Sequence, residues 1–169
     1  DAQESRGLGD VYKRQDFIAS EGNATDWAST SAAFAKVRAE VGEVDVLVNN
    51  SGGSRDLLFR QMTVEDWNAV IASNLNALFN LTKQVVDGMA TRGWGRIINI
   101  GSVSAHKGQI GQVNYATAKA AMHGFSRALA AEVASRGVTV NTLSPGYIAS
   151  QAISLSLIHI SEPTRLLSI

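Results

Sequence analysis

Three short runs of aliphatic residues constrain the fold of this chain more than any other feature. They read VDVLVN at residues 44–49, RIINI at residues 96–100 and VTVNTL at residues 138–143. None of them alternates strictly between apolar and polar residues, as a strand with one face in water does. Such runs are typical of parallel strands that are covered on both faces. We therefore predict three buried parallel strands at these positions.

Helical patterns separate these runs. One begins at Asp26 and ends at Gly42, a second spans residues 63–91, and an alanine-rich third spans residues 114–135. Residues 16–21 (DFIASE) are a further strand candidate. The alternation of strands and helices predicts an α/β fold with a parallel sheet.

Ligands of such sheets bind at the carboxyl ends of the strands. The conspicuous polar and turn residues of this chain follow the predicted strands there. Asn50 follows the first run, Ser102 the second, and Pro145 and Gly146 the third. We therefore expect the binding site at this edge of the sheet.

The composition excludes several classes of site and partner. The 169 residues carry 15 Lys and Arg against 15 Asp and Glu, so the net charge is zero and gives no electrostatic reason to expect nucleic acid or a membrane surface. The absence of cysteine excludes disulfides, thiolate metal sites and cysteine nucleophiles. No secretory signal is visible in residues 1–15, and no apolar run approaches the roughly 20 residues that span a bilayer. We expect a cytoplasmic protein that holds no metal.

One set of polar residues suggests chemistry. Tyr115 and Lys119 are four residues apart at the start of the third helical segment, so they share one face of that helix. Ser102 follows the second predicted strand, and Asn74 lies inside a helical segment although asparagine is a poor helix former. Taken singly, these residues have ordinary structural interpretations: a surface tyrosine beside a solvated lysine, a loop serine, and an asparagine at a kink.

Taken together and in this order, they resemble the short-chain dehydrogenase/reductase family. The resemblance extends over residues 16–154 and is carried by the runs EVDVLVNNSGGSRD, RGWGRIINIGSV, KGQIGQVNYATAKA and HGFSRALAAEVASRGVTVNTLSPGYIA. These runs are most similar to bacterial members that reduce acetoacetyl-CoA. The resemblance implies a Rossmann-like, doubly wound parallel sheet in three α/β/α layers, truncated so that its first two strands and its last strand are missing.

The resemblance implies catalytic roles for four residues. Tyr115 would donate the proton that the ketone oxygen needs as hydride arrives, and Lys119 would lower the pKa of that phenol and bind the nicotinamide ribose. Ser102 would donate a hydrogen bond to the substrate carbonyl oxygen. Asn74 would hold a water that connects Lys119 to solvent.

The resemblance also implies the binding residues. Those expected to contact the cofactor are Gly22, Asn23, Ala24, Asn50, Ser51, Gly52, Tyr115, Lys119, Pro145, Gly146, Tyr147 and Ile148. Those expected to contact the substrate are Asp56, Ser102, Gln109, Gln112 and Tyr147. The implied cofactor is NADPH. NADH remains an alternative, because the residue that selects between the two cofactors would precede Asp16. His106 and His123 receive no role, and no metal is implied.

The chain departs from the family pattern at several points. Ser51 replaces a usual alanine, Gly101 stands where a second serine often precedes the catalytic one, and Gln61 stands where a lysine is often found. The family's glycine-rich phosphate loop does not occur in residues 16–154. We therefore expect very weak cofactor binding and no measurable turnover from the chain as written.

The two ends of the chain fit one inverted oligonucleotide. Codons can be chosen for residues 5–15 whose reverse complement encodes residues 155–165. This relationship resembles a translated sequencing-library adapter. We therefore expect residues 1–15 and 155–169 to be non-native flanks, and residues 16–154 to be a partial Rossmann-type reductase domain.

The expected function of the parent enzyme is reduction of acetoacetyl-CoA to 3-hydroxybutyryl-CoA with NADPH, a step of polyhydroxybutyrate synthesis. The parent is expected to be a homotetramer built on the helical segments 63–91 and 114–135. Two alternatives stay open. One is a reductase of 3-oxoacyl groups on acyl carrier protein, and the other is a non-catalytic member that uses the fold for binding.

Overall fold

The computed structural model describes residues 18–146 and contains one parallel sheet in this part of the chain. Its strands β1 (Val46–Asn49), β2 (Gly95–Ile100) and β3 (Val138–Leu143) lie in the order β1-β2-β3. Leu47 pairs with Ile97, and Ile97 pairs in turn with Val140. The three predicted strands and their parallel pairing are confirmed, as is the Rossmann-like α/β class.

Five α-helices are described in residues 18–146, together with a π-helical turn and two 3₁₀ turns. The helices are α1 (Trp27–Glu40), α2 (Val64–Ile71), α3 (Ala77–Arg92), α4 (Ser104–Lys107) and α5 (Val113–Val133). The π-helical turn is Ala72–Asn76, and the 3₁₀ turns are Phe59–Gln61 and Ala134–Arg136.

Side-chain caps determine where α1 and α2 begin. The Ser29 N–H donates to Asp26 Oδ1 at 2.6 Å, so Asp26 satisfies a backbone donor of the first turn of α1. Thr63 and Asp66 form a reciprocal capping box at the start of α2. Both helices therefore begin where a short polar side chain can accept from free N–H groups.

The helical segment predicted at 63–91 is divided by the π-helical turn around Asn74. The Asn74 side chain donates from Nδ2 to the Val70 carbonyl at 2.9 Å. In a regular α-helix this carbonyl accepts from the backbone N–H four residues later, which is the N–H of Asn74 itself. This competition widens the helix locally. The predicted helical segment is therefore interrupted by an irregular turn at Asn74, where a kink was one interpretation of the sequence, and this residue is proposed to be catalytic.

Described helices cover only one face of the sheet. Leu47, Ile97 and Val140 point to the helices and are buried, whereas Val46 and Val48 on the opposite face are 49% and 53% exposed. In the order β1-β2-β3 every crossover advances in the same direction, and right-handed crossovers then place all connecting helices on one face. The predicted coverage of both faces is therefore not seen within residues 18–146.

The hydrophobic core lies between the sheet and the helix pair α3 and α5. Met89, Ile97 and Val138 are fully buried there. The other buried members of this cluster are Leu47, Val85, Val86, Ala90, Val133 and Val140. The core thus attaches both long helices to all three strands.

Two further expectations concern the ends of the described region. The strand predicted at 16–21 is not formed in its described part, Ile18 to Glu21, because no described strand lies beside it to complete its backbone hydrogen bonds. Both terminal flanks, with the tail run LSLIHI, lie outside the described residues.

Within residues 18–146, no helix combines the length and the apolar character needed to cross a bilayer.

Gly137 offers a test of this packing. Its φ is +73°, and a Cβ there would collide with the Gly93 carbonyl at the turn into β2. We expect Gly137→Ala to lower the free energy of unfolding by at least about 1–2 kcal/mol because it adds strain and a clash. The measurement is urea unfolding followed by circular dichroism.

Gly124→Ala is the matched control, because Gly124 lies within α5 and a Cβ there meets no atom within 4 Å. It is expected to be neutral or stabilising by up to about 1 kcal/mol through helix propensity. Equal destabilisation by the two substitutions would contradict the close approach at Gly137.

Candidate active site

The loops at the carboxyl ends of β2 and β3 are joined to each other. The Gly101 N–H donates to the Leu143 carbonyl at 2.7 Å, and the Val103 N–H donates to the Pro145 carbonyl at 3.0 Å. Ser102 lies between these two bonds. The backbone at the centre of the expected site is therefore hydrogen-bonded on both sides of Ser102 to the end of β3 and the loop that follows it.

Lys119 is held between α5 and β2. Its Nζ donates to the Ile100 carbonyl at 2.7 Å and lies 5.5 Å from the centre of the Tyr115 ring. The residue is only 5% exposed. Burial lowers the pKa of Lys119 from 10.5 to about 8, because the protonated amine is poorly solvated there.

Tyr115 and Ser102 are brought together as expected. The Ser102 side chain lies close enough to the Tyr115 phenol to affect its pKa, and Ser102 Oγ accepts from the Ser104 N–H at 3.2 Å. The Tyr115 pKa is nevertheless raised: burial is the largest cause, the nearby Ser102 hydroxyl acts in the opposite direction, and the Asp56 charge adds to the rise. The expected lowering of the Tyr115 pKa was therefore wrong for this structure, because burial of the phenol outweighs the effects that favour phenolate.

Asn74 is fully buried beside the loop that follows β1. Its Nδ2 donates to the Gly53 carbonyl at 2.9 Å as well as to Val70, and its Oδ1 accepts no hydrogen bond from the described residues. The structure thus places Asn74 against Gly52 and Gly53. Ser102, Tyr115 and Lys119 lie close to one another. Asn74 instead contacts the predicted cofactor loop after β1.

The predicted cofactor residues occupy separate loops along the same edge. Asn23 Oδ1 accepts from the backbone and side chain of Thr25, and Asn80 Nδ2 donates to the Ala24 carbonyl at 3.0 Å, so the loop that begins at Gly22 is anchored to α3. The predicted residues after β1, Asn50, Ser51 and Gly52, are exposed. Pro145 and Gly146 follow β3, whereas Tyr147 and Ile148 lie outside the described residues.

Two predicted substrate residues bind each other. Gln112 Nε2 donates to Asp56 Oδ2 at 2.9 Å, and Gln112 Oε1 accepts from Ser104 Oγ at 3.1 Å. Gln112 is buried, so both ends of its amide are used within the protein. Asp56 keeps one buried oxygen, Oδ1, that no described residue donates to. Gln109 accepts a backbone hydrogen bond from Gln112 in the same turn.

Sequence reasoning missed Asn114 and Ser104. Asn114 is fully buried, its Oδ1 accepts from the Tyr115 N–H at 2.7 Å, and its Nδ2 donates to the Arg55 carbonyl. Asn114 therefore fixes the first turn of α5 at the proposed proton donor. An asparagine directly before that tyrosine was the available signal.

The two histidines without an assigned role also lie together. The ring centres of His106 and His123 are 4.7 Å apart, and the Nε2 atoms of both approach Ser144 Oγ, at 3.4 Å and 3.2 Å. Burial, His106 and Arg127 lower the pKa of His123. The sequence offers no signal for this cluster, because its members come from three different elements.

Gly52 provides a test of the Asn74 contact. Its φ is +143°, and a Cβ there would lie 2.9 Å from Asn74 Cγ and collide with Oδ1. We expect Gly52→Ala to lower the free energy of unfolding by about 1–3 kcal/mol, since the buried amide must move. Gly53→Ala is the control, because a Cβ at Gly53 meets nothing within 4 Å. Similar unfolding curves for both variants would contradict the contact.

The buried amine of Lys119 predicts a pH dependence of stability. Between about pH 8 and 10.5 the folded chain has released this proton while the unfolded chain still binds it. The free energy of unfolding contributed by this group therefore rises with pH across that window and is constant below it. Denaturant unfolding of the chain and of Lys119→Met at several pH values measures the difference.

Lys83→Met, which removes a lysine from the exposed surface of α3, is the control for loss of a positive charge. A difference between the chain and Lys119→Met that does not change between about pH 8 and 10.5 would show that the amine is not buried as described.

Comparisons with known proteins give the family. The short chain dehydrogenase family model matches residues 5–156. Acetoacetyl-CoA reductase of Cupriavidus necator is 67% identical over 138 residues, which are 82% of this chain and 56% of that protein. Nodulation protein G of Azospirillum brasilense is 54% identical over 137 residues, 81% of this chain and 56% of that protein.

A third relative is the 3-oxoacyl-(acyl-carrier-protein) reductase FabG of Escherichia coli, 53% identical over 126 residues, 75% of this chain and 52% of that protein. The chain spans about half the length of the curated relatives it matches. Together with the family match over most of the chain, these identities show that the chain belongs to the short chain dehydrogenase family.

Proposed function

We propose that the protein to which this chain belongs reduces 3-oxoacyl thioesters with NADPH, and that acetoacetyl-CoA is its substrate. The observation that carries the proposal is the convergence of Ser102, Tyr115 and Lys119 at the carboxyl end of β2. A hydroxyl, a phenol and a buried amine at one place supply what a carbonyl reduction needs from a protein: an oxygen-binding donor, a proton donor and a cation.

The described residues fit a nicotinamide cofactor. Lys119 Nζ has three N–H donors, and the one bond to the Ile100 carbonyl leaves two for ribose hydroxyls. A Cβ on Gly146 or Gly53 would meet no atom of residues 18–146 within 4 Å, so the described residues leave room beside both glycines. The dihydronicotinamide supplies the hydride when it is bound. The cofactor-binding residues are those predicted above, and NADPH is chosen over NADH by family resemblance.

Tyr115 is suited to be the acid of a reduction. Its raised pKa keeps the phenol protonated at neutral pH, so its proton stays available until the more basic alkoxide of the product forms. Ser102 Oγ accepts from the Ser104 N–H, which orients the hydroxyl, and its own proton can be donated to the substrate oxygen. Lys119 stabilises the phenolate that is left after transfer.

Asn74 is proposed to hold a water for proton resupply. The support is its Oδ1, a fully buried acceptor to which no described residue donates. Buried acceptors are normally satisfied, and a water between Asn74 and Lys119 would satisfy this one.

The thioester end of the substrate is proposed to bind at Asp56, Gln109 and Gln112. Tyr147, the other residue predicted for this end, lies outside the described residues. The choice of CoA over carrier protein rests on one relative, the acetoacetyl-CoA reductase of Cupriavidus necator, which is 67% identical compared with 53% for FabG of Escherichia coli; other proteins named acetoacetyl-CoA reductase are 58%, 52% and 50% identical. Reduction of a thioester on acyl carrier protein is the second candidate, favoured by that 53% identity. The intact catalytic set argues against a non-catalytic binding protein.

A homotetramer is proposed for the whole protein. A groove between α3 and α5 is lined by Phe79, Phe125 and Leu129 together with the charged residues Lys83, Asp87 and Glu132. Phe79 is 52% exposed, which is a large apolar surface to leave in water. Helix pairing across this groove would cover it.

The direct test grafts residues 16–154 into the acetoacetyl-CoA reductase of Cupriavidus necator in place of the matching segment. We expect the graft to oxidise NADPH in the presence of acetoacetyl-CoA.

Tyr115→Phe should lower kcat by about 100-fold to 10,000-fold, because a positioned proton donor contributes that much. Ser135→Ala replaces an exposed serine and is the control for any change in kcat that comes from expressing and purifying a variant. An inactive graft, or equal kcat with and without the Tyr115 hydroxyl, would contradict the proposal.

A further inference from the structure

A row of polar side chains crosses the sheet on its helix-facing side. Asn49, Asn99 and Thr142 are aligned by the strand register, so each strand contributes one member. They lie one layer above the aliphatic residues Leu47, Ile97 and Val140, toward the carboxyl ends of the strands. We call these three residues, with Thr82 of α3 and Ser126 of α5, the polar layer.

Hydrogen bonds connect the polar layer continuously from α3 to α5. Asn49 Nδ2 donates to Thr82 Oγ1 at 3.0 Å and to Asn99 Oδ1 at 2.8 Å. Asn99 Nδ2 then donates to Ser126 Oγ at 2.8 Å, and the hydroxyls of Ser126 and Thr142 are 2.7 Å apart. Both long helices are thus bonded to the sheet through side chains.

Ser126 Oγ is fully used in this arrangement. Its only proton goes to the Met122 carbonyl at 2.7 Å, so Thr142 must be the donor of the bond between the two hydroxyls. Ser126 therefore accepts from Asn99 and from Thr142. Because Asn99 is fully buried and Ser126 is 4% exposed, water cannot replace these bonds at low cost.

The position of Ser126 relates the polar layer to the candidate active site. Ser126 and Lys119 are seven residues apart, two turns of α5, and they lie on the same face of the helix. Ser126 binds the Asn99 side chain, and Lys119 binds the carbonyl of the next residue, Ile100. Two attachments to adjacent residues of β2 determine both the rotation and the axial position of α5.

Apolar contacts alone would not determine that position. Met122 lies between the two attachments and Ala118 directly precedes Lys119; both are fully buried but make non-directional contacts. Hydrogen bonds between buried groups specify a single arrangement, since a shifted helix leaves donors without acceptors.

We propose that the Asn99–Ser126 hydrogen bond is a positioning device that holds α5 so that Lys119 reaches the Ile100 carbonyl and Tyr115 reaches Ser102. Asn99 and Ser126 touch none of the reacting groups and act through Lys119 and Tyr115. The assignment of a catalytic role to those two residues rests on the proposed function, whereas the geometric part does not.

The test is a side-chain NMR titration of Lys119 in the full 169-residue chain, which requires no turnover. The chain itself is expected to show a Lys119 pKa of about 8. Ser126→Ala should raise it toward 10.5 by about one unit, because a displaced α5 admits water to the amine. Ser126→Thr keeps the hydroxyl and should restore the value of the unchanged chain.

Thr117→Ala is the matched control. Thr117 is exposed on α5, and its hydroxyl donates to the Val113 carbonyl at 2.6 Å, so this variant removes a comparable bond that does not involve the sheet. It should leave the Lys119 titration unchanged. An unchanged titration in Ser126→Ala, or an equal shift in Thr117→Ala, would overturn the proposal.

If Ser126→Ala does not fold, the combined substitution Asn99→Leu, Ser126→Ala and Thr142→Val removes Ser126 together with both groups that donate to it, while Asn49 Nδ2 keeps its bond to Thr82 Oγ1. This variant is expected to fold and still show the raised Lys119 pKa. Failure of both variants to fold would mean that the bond holds the fold itself, which contradicts a positioning role.

In the active graft, Ser126→Ala should lower kcat by about tenfold to 100-fold with little change in KM, the loss expected from a small misplacement. An unchanged kcat would also overturn the proposal. An inactive graft together with the expected Lys119 shift would contradict the proposed function and leave the positioning role supported.

Discussion

The hydrogen bond from Lys119 to the Ile100 carbonyl is the interaction on which the candidate site depends. It joins α5, which carries Tyr115, to β2, which leads directly to Ser102. The bond places a positive group in a nearly closed interior, and the lowered pKa of Lys119 is the consequence. The same burial raises the pKa of Tyr115, so the phenol holds its proton. One packing arrangement therefore sets the protonation of both groups.

The sheet explains why these groups meet. Parallel strands place their carboxyl ends at one edge, and the order β1-β2-β3 puts the loops after them side by side. The apolar layer through Ile97 holds the helices against the sheet, and the polar layer through Asn99 specifies how they sit. The same three strands thus carry two successive layers of side chains. The apolar layer attracts the helices without regard to direction, and the polar layer binds them through directional hydrogen bonds.

Much of this could be predicted from the chain itself. Strand positions followed from aliphatic runs, and the grouping of Ser102, Tyr115 and Lys119 followed from family resemblance. A kink at Asn74 was one interpretation of the sequence, but its π-helical form could not be predicted, because it arises from a side-chain bond to the Val70 carbonyl that competes with the backbone. The cluster of His106, His123 and Ser144 depends on contacts between distant segments. The assignment of residues 1–15 and 155–169 as adapter-derived flanks stays a prediction.

The most direct test of the account is the fate of deuterium in the graft that carries residues 16–154. NADPH deuterated at the transferring position of the nicotinamide is supplied with acetoacetyl-CoA, and the product is examined by mass spectrometry. We expect 3-hydroxybutyryl-CoA with the deuterium on the carbinol carbon, in an amount that falls steeply in Tyr115→Phe. Product without the label, or no product from a folded graft, would contradict it.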